Sequence, residues 1–168
     1  MAVTQALILA AGRGVRMGPR GQSIPKGFIE VGGQTLVARS LARLARAGVR
    51  DVIIVTGHLA DFYEQLPSVA GVAVTTLHNP QFAEKGSFES LRVGLAAMRG
   101  TFLLLESDII YEPRALATVL ASGHESVILT SGPTGAGDEV YVWADEAGGA
   151  HRFRGMSKQR ASHADDPF

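Results

Sequence analysis

Residues 3–26, V-T-Q-A-L-I-L-A-A-G-R-G-V-R-M-G-P-R-G-Q-S-I-P-K, limit the possible folds more than any other stretch of the chain. Ala6 to Leu9 close a short strand-like run that starts at Val3, and consecutive apolar residues suit a strand buried on both faces of a parallel sheet. A long loop follows, with glycines at 12, 14, 18 and 21 and with Arg13, Arg16, Arg20 and Lys26. No acidic residue precedes Glu30. Glycine lets the backbone approach a ligand closely, and successive N–H groups cradle anionic oxygens. Cations unaccompanied by acids point to a polyphosphate. The stretch therefore reads as a buried strand feeding a nucleoside triphosphate loop.

Two familiar phosphate loops are excluded. A Walker A loop needs Gly-Lys-Ser/Thr, and neither Lys26-Gly27 nor Lys85-Gly86-Ser87 supplies that order. The dinucleotide fingerprint G-x-G-x-x-G fails because the third glycine is Gly18, not residue 17. That loop also opens straight into a helix, whereas this one runs on to Pro25-Lys26. The cationic loop is a local feature, since 16 Lys and Arg balance 16 Asp and Glu over the chain, so no global charge points to nucleic acid or a membrane surface. With no cysteine, a disulfide frame and a thiolate metal site are both ruled out. No apolar run approaches the roughly 18 residues of a membrane span. The N-terminus lacks the features of a signal peptide, so a cytoplasmic protein is expected.

Strand and helix alternate through the rest of the chain. Phe28 to Val31 is a short extended piece before a Gly32-Gly33 turn, and Thr35 caps a helix running to Ala47. Strands are expected at Val52–Val55, Val72–Leu77, Phe102–Leu105 and Val127–Leu129, and helices at Leu59–Leu66, Ser87–Met98 and Pro113–Ala121. This is the pattern of an α/β fold with a doubly wound, mostly parallel sheet, whose ligands sit beyond the carboxyl ends of the strands. Val140–Trp143 and His151–Met156, joined by a turn at residues 146–149, predict a β-hairpin laid over that edge. At 168 residues the chain reads as a single domain with no internal repeat, and residues 157–168 form a polar loop that stops short of another element.

Two further segments carry candidate chemistry. Asp108, with Glu106 two residues earlier, follows an apolar strand, and a carboxylate at a strand's carboxyl end can hold Mg²⁺ through one or two oxygens. In Glu84-Lys85-Gly86-Ser87-Phe88-Glu89-Ser90-Leu91, Gly86 permits close approach and the hydroxyls of Ser87 and Ser90 can reach a base edge. Capping of the helix explains Ser87 equally well, which makes Ser90 the more informative of the two. His58, His78, His124, His151 and His163 fall in none of these motifs and read as surface or structural residues.

The segment L-I-L-A-A-G-R-G-V-R-M, followed after a gap by Pro25-Lys26, resembles the signature of the nucleotidyltransferase superfamily, which makes CDP-, UDP- and GDP-activated metabolites. Adding P-K-G-F-I-E-V-G-G, K-G-S-F-E-S-L, L-L-L-E-S-D, G-D-E-V-Y and M-S-K, the chain from Ala6 to Lys158 is similar to the small cytidylyltransferases that activate phosphocholine or 2-aminoethylphosphonate. The resemblance implies a Rossmann-like nucleotidyltransferase fold and Mg²⁺-dependent transfer of a cytidylyl group from CTP, or from another NTP, to a small phosphate or phosphonate, with release of pyrophosphate. It implies that Leu9, Ala10, Ala11, Gly12, Arg13 and Gly14 contact the nucleotide and that Arg16 and Lys26 hold its phosphates. It also implies that Gly86, Ser87 and Ser90 select cytosine and that Asp108 binds Mg²⁺. Asp138, Glu139 and Tyr141 would face the acceptor's amine. Such enzymes continue with another strand and helix bearing a second acidic metal ligand, so the domain is expected to lack its usual C-terminal end. Neither Asp165 nor Asp166 is expected to substitute.

Lys158 is a further candidate for the acceptor phosphate. The acceptor's class depends on the groups around it, because quaternary ammonium prefers an aromatic cage and a primary amine prefers carboxylates. Asp138 and Glu139, with Tyr111, Tyr141 and Trp143, lean toward a primary amine. Two other readings stay open, a sugar-1-phosphate nucleotidyltransferase and a non-catalytic nucleotide-binding module.

Overall fold

β1 (Gln5–Ala10) is central, buried from Ala6 onward, and its alternating side chains feed two separate cores. The computed structural model describes residues 3–159 apart from 133, 134, 136, 138, 148 and 149. After β1 the chain makes a 3₁₀ turn (Val15–Met17), a short α1 (Pro19–Ser23) and a second 3₁₀ turn (Lys26–Phe28). The loop is thus folded into short helical turns. Gly14, at φ 62°, adopts a left-handed conformation that glycine takes without strain, and a Cβ on Gly21 would lie 2.5 Å from the Gly14 carbonyl oxygen.

A small hairpin of β2 (Glu30–Val31) and β3 (Gln34–Thr35) leads into α2 (Leu36–Arg46), and then come β4 (Asp51–Thr56), α3 (Asp61–Glu64), β5 (Ala73–His78), α4 (Ser87–Leu95), β6 (Phe102–Glu106) and α5 (Pro113–Ala121). Four strands form one parallel sheet in the order β5-β4-β1-β6. Ala6, Ile8, Ala10, Val52 and Ile54 point to the face covered by Val37, Leu41 and Leu44 of α2, Tyr63 of α3 and Leu116 of α5. Leu7, Leu9, Ile53 and Val55 point to the other face, against Leu91 and Val93 of α4. Burial on both faces is why β1 and β4 appear in sequence as unbroken apolar runs.

The expected elements shift in three places. α3 is shorter than Leu59–Leu66 because Leu59 has φ 54°, outside the right-handed helical region. α4 ends at Leu95 rather than Met98. Val127–Leu129 forms no strand: all three side chains are exposed, and among the described residues nothing pairs with them.

The chain divides into two compact units, Met1–Leu120 and Ala121–Phe168. The second contains the antiparallel hairpin β7 (Tyr141–Ala147) and β8 (Ala150–Ser157), with a register shift between Trp143 and Ala144. Both strands extend beyond the predicted segments. Asp145 and Arg154 pair across the hairpin.

Candidate active site

The sheet reverses its winding direction between β1 and β6. From β1 the chain moves outward through β4 and β5, then returns to place β6 on the opposite side of β1. Ligands of open α/β sheets settle at such a switch point, beyond the carboxyl ends of the strands. Leu9 registers with Glu106 there, and the Ser107 N–H donates to the Leu9 carbonyl at 3.0 Å. Beyond that bond the strands part, and a cleft of about 220 Å³ opens between them.

One wall is built from the ends of β1 and β6. Leu9, Ala10, Ala11 and Gly12 line it from β1, and Glu106, Ser107 and Asp108 from β6. Lys26 reaches the same cleft, its Nζ 2.9 Å from Asp108 Oδ2. The local sequence explains that reach. Pro25 holds an extended conformation ahead of the Lys26–Phe28 turn, and the Phe28 ring anchors the turn edge-on against Phe62 and Tyr63, with centroids 5.2 and 5.1 Å apart. Tyr63 is itself buried yet lines the cleft, and its hydroxyl lies beside Ser107 and Gly27. Burial pushes the Tyr63 pKa up.

The opposite wall begins at Asn79, which is fully buried at the end of β5. Its Oδ1 accepts from the Gln81 N–H at 2.9 Å, and its Nδ2 donates to Ser90 Oγ at 3.0 Å. The chain then passes Phe82 and Lys85, both lining the cleft, to Gly86 and Ser87 at the start of α4. Gly86 occupies the position before the helix with no side-chain capping bond, so Ser87 is the first helical residue and not the cap. Ser90 lines the cleft from a buried position. Because Asn79 donates to its oxygen, the Ser90 O–H is left to donate elsewhere.

The electrostatics concentrate on three groups. Glu106 is an exposed residue, yet partial withdrawal of its carboxyl from water raises its pKa. The neighbouring Asp108 charge raises it further, and Lys26 opposes both. Glu106 and Asp108 are the cleft residues whose oxygens could hold a hard divalent cation. Among the described residues no group of three or more His, Cys, Asp or Glu clusters as a metal site. Magnesium held by one or two carboxylates requires no such group.

Of the residues expected at the site, Leu9, Ala10, Ala11, Gly12 and Lys26 gather in the cleft with Gly86, Ser87, Ser90 and Asp108. Arg13, Gly14 and Arg16 do not line it; Gly14 is buried within the loop, and both arginines are exposed there. Tyr111 is also absent, because it packs against the core with the Arg43 guanidinium 5.0 Å from its ring centroid. Among the acceptor residues, Asp138 lies outside the described residues, as do Asp165 and Asp166. Glu139 accepts from the Gly137 N–H at 3.0 Å, Tyr141 opens β7 with its ring 6.4 Å from Trp143, and Lys158 is exposed just after β8. Sequence reasoning missed Tyr63, Phe82 and Lys85. Lys85, a cation beside Gly86, carried a usable signal, while the two aromatics carried none.

The cleft thus lies at the β1/β6 switch point of an α/β sheet, where the glycine-rich loop leaves β1. The model of the MobA-like NTP transferase domain matches residues 6–163, and the chain belongs to that family. It is 31% identical over 131 residues to the CMP-5′-(3-aminopropyl)phosphonate synthase of Streptomyces rubellomurinus, an alignment covering 77% of this chain and 21% of that protein. It is 30% identical over 122 residues to the 2-aminoethylphosphonate cytidylyltransferase of Lancefieldella rimae, covering 66% and 48%. Among solved structures, the CTP:phosphocholine cytidylyltransferase of Streptococcus pneumoniae superposes with a TM-score of 0.56 at 27% identity, covering 64% of this chain and 46% of that one. The chain therefore spans half or less of the length of these relatives. No helix among the described residues is long and apolar enough to cross a membrane.

Proposed function

We propose that this domain transfers a cytidylyl group from CTP to a small amine-bearing phosphate or phosphonate, of the 2-aminoethylphosphonate or phosphocholine type, and releases pyrophosphate. The observation that carries the reading is the meeting of Lys26 and Asp108, 2.9 Å apart, in a cleft walled by Ala10, Ala11 and Gly12 on one side and by Ser87 and Ser90 on the other. The relatives named for phosphonate and choline-phosphate substrates support it.

In this reading an acceptor oxygen forms a bond to the α-phosphorus of CTP, and the bond from that phosphorus to the bridging oxygen breaks. Pyrophosphate leaves with the electron pair. The nucleophile is already ionised at neutral pH, so no general base is required, and no histidine among the described residues lines the cleft. The obstacle is charge: two unit anions at 4 Å repel by about 4 kcal/mol at an effective dielectric near 20. Lys26 neutralises phosphate oxygens from within the cleft, and Arg16 does so from the loop, with Arg13 assisting. Ser90, and Ser87 beside it, donate to the cytosine edge. Asp108, with Glu106 beside it, would hold Mg²⁺, whose contribution when bound is to neutralise phosphate charge.

The sequence resemblance alone gives the acceptor's amine to Asp138, Glu139 and Tyr141, and Lys158 is the candidate for its phosphate. The test is pyrophosphate release from CTP, UTP, GTP and ATP in MgCl₂, each with a panel of amine-bearing phosphates and phosphonates as acceptor. Acceptor-dependent release from CTP and a CMP-linked product from an amine-bearing phosphonate are expected. Turnover with UTP alone would overturn the cytidylyl assignment.

A further inference from the structure

The loop that leaves β1 must keep its shape while it is exposed and rich in glycine, and one residue outside it grips it at two points. The His58 backbone N–H donates to the Ala11 carbonyl, where the loop begins, at 3.3 Å. Its side-chain Nε2 lies 2.9 Å from the carbonyl oxygen of Gly21, within α1 on the far limb of the loop. A carbonyl only accepts, so Nε2 carries the proton. The imidazole therefore ties the far limb of the loop to the same turn that holds its start.

The turn that presents His58 shows that its position is enforced. Leu59, the next residue, has φ 54°, a left-handed conformation that a bulky residue rarely adopts and that persists where the surroundings impose it. Gly57, the preceding residue, is equally constrained. A Cβ there would lie 2.5 Å from Phe82 Cβ and 2.8 Å from the Ala11 carbonyl oxygen. Phe82 lines the cleft, and its ring centroid is 6.5 Å from that of His58. Gly57 and His58 are thus held against the loop's start, its far limb and the opposite wall of the cleft.

We propose that His58 is a positioning residue for the nucleotide, one that holds residues 12–26 in the form that receives the triphosphate. It touches no reacting atom. Its action is to prevent the loop from sampling other conformations before the nucleotide arrives, so that less ordering is needed on binding. This inference rests on the function proposed above, and the test separates the two.

Three variants of the full chain decide it. His58→Phe keeps a ring beside Phe82 but loses the donor. His58→Asn keeps an amide too short to reach Gly21, and serves if the phenylalanine variant folds poorly. His58→Gln places an amide nitrogen near the position of Nε2. Hydrogen exchange of residues 12–26 without ligand is expected to accelerate about 3- to 10-fold in the Phe and Asn variants, the range of one net hydrogen bond. The Gln variant should exchange at the wild-type rate, and exchange in β1 and β4 should not change in any variant. Calorimetric titration with CTP and MgCl₂ should show affinity falling by a similar factor and recovering in His58→Gln. Wild-type exchange rates in the Phe and Asn variants would overturn the proposal. So would faster exchange with unchanged CTP affinity, since the bond would then serve the fold alone. Failure of the wild-type chain to bind any NTP would instead overturn the proposed function, and the exchange data would still decide whether His58 braces the loop.

Discussion

The strand β1 and the loop that leaves it are adjacent in sequence and are built by opposite rules. From Ala6 to Ala10 every residue is buried, packed on both faces and uncharged. From Gly12 to Lys26 the chain is largely exposed, carries Arg13, Arg16, Arg20 and Lys26, and is shaped by glycine and short helical turns. Burying apolar surface stabilises the fold, while exposed ion pairs add little to it. In the function proposed above, strand and loop divide the labour, the first carrying stability and the second carrying chemistry. Stability and turnover should respond separately to substitutions on the two sides.

The largest expected separation is at Lys26. Lys26→Ala should reduce turnover by about 10²- to 10³-fold, the range for loss of one preorganised charge on a transition state. Its thermal midpoint should stay near that of the wild type, because the pair with Asp108 is about one-third exposed on both sides and exposed pairs contribute little. Steady-state assay beside a thermal melt checks both halves, and a large fall in melting temperature would break the division. Ile54→Ala is the converse. Ile54 is fully buried between β4's neighbours and α2, and its truncation should cost about 2–5 kcal/mol by chemical denaturation. Turnover per folded molecule should be unchanged.

Ser90 belongs to both sides, buried like a core residue yet lining the cleft. Ser90→Ala removes the acceptor for Asn79 Nδ2, leaving a buried donor unsatisfied at a cost of about 1–3 kcal/mol. It should also weaken CTP relative to UTP as the donor when pyrophosphate release is assayed with acceptor present. Loss of stability with no change in nucleotide preference would assign Ser90 to the scaffold alone.

The same contrast explains what could be read from the sequence. β1 and β4 were visible because two-sided burial writes itself as consecutive apolar residues, β6 because Phe102–Leu105 is an apolar run even though Leu104 is exposed, and Gly12, Lys26 and Asp108 because their residue types and spacing have few structural uses. Val127–Leu129 carried the same apolar signature without forming a strand, since a strand also needs a hydrogen-bonded neighbour that sequence does not reveal. α3 was placed too early because nothing in Leu59 announces a left-handed backbone. Tyr63 and Phe82 escaped notice because an aromatic that lines a cleft has the same local pattern as one that fills a core. Tyr111 misled in the opposite direction: it stands three residues after Asp108 in the sequence, yet the chain turns and packs it, half-buried, beside Arg43.

The smallest effect tests how well the two sides are insulated. Thr35 caps α2, its hydroxyl oxygen accepting the Ala38 N–H at 3.3 Å. That long bond places Thr35→Ala toward the low end of the usual cost, about 0.5–1 kcal/mol. Thr35→Ser retains the oxygen and should recover most of the loss. By its position the substitution belongs to the scaffold, but the next residue, Leu36, donates its N–H to the Ile29 carbonyl at 3.1 Å. Ile29 directly follows the 3₁₀ turn that begins with Lys26, so fraying of the first turn of α2 loosens one end of the segment that aims the lysine. If Phe28 alone anchors that segment against Phe62 and Tyr63, Thr35→Ala lowers the denaturation midpoint and leaves turnover unchanged. A fall in turnover that Thr35→Ser restores would show that the bond from α2 to Ile29 helps to position Lys26, and that the boundary between scaffold and site passes through Ile29.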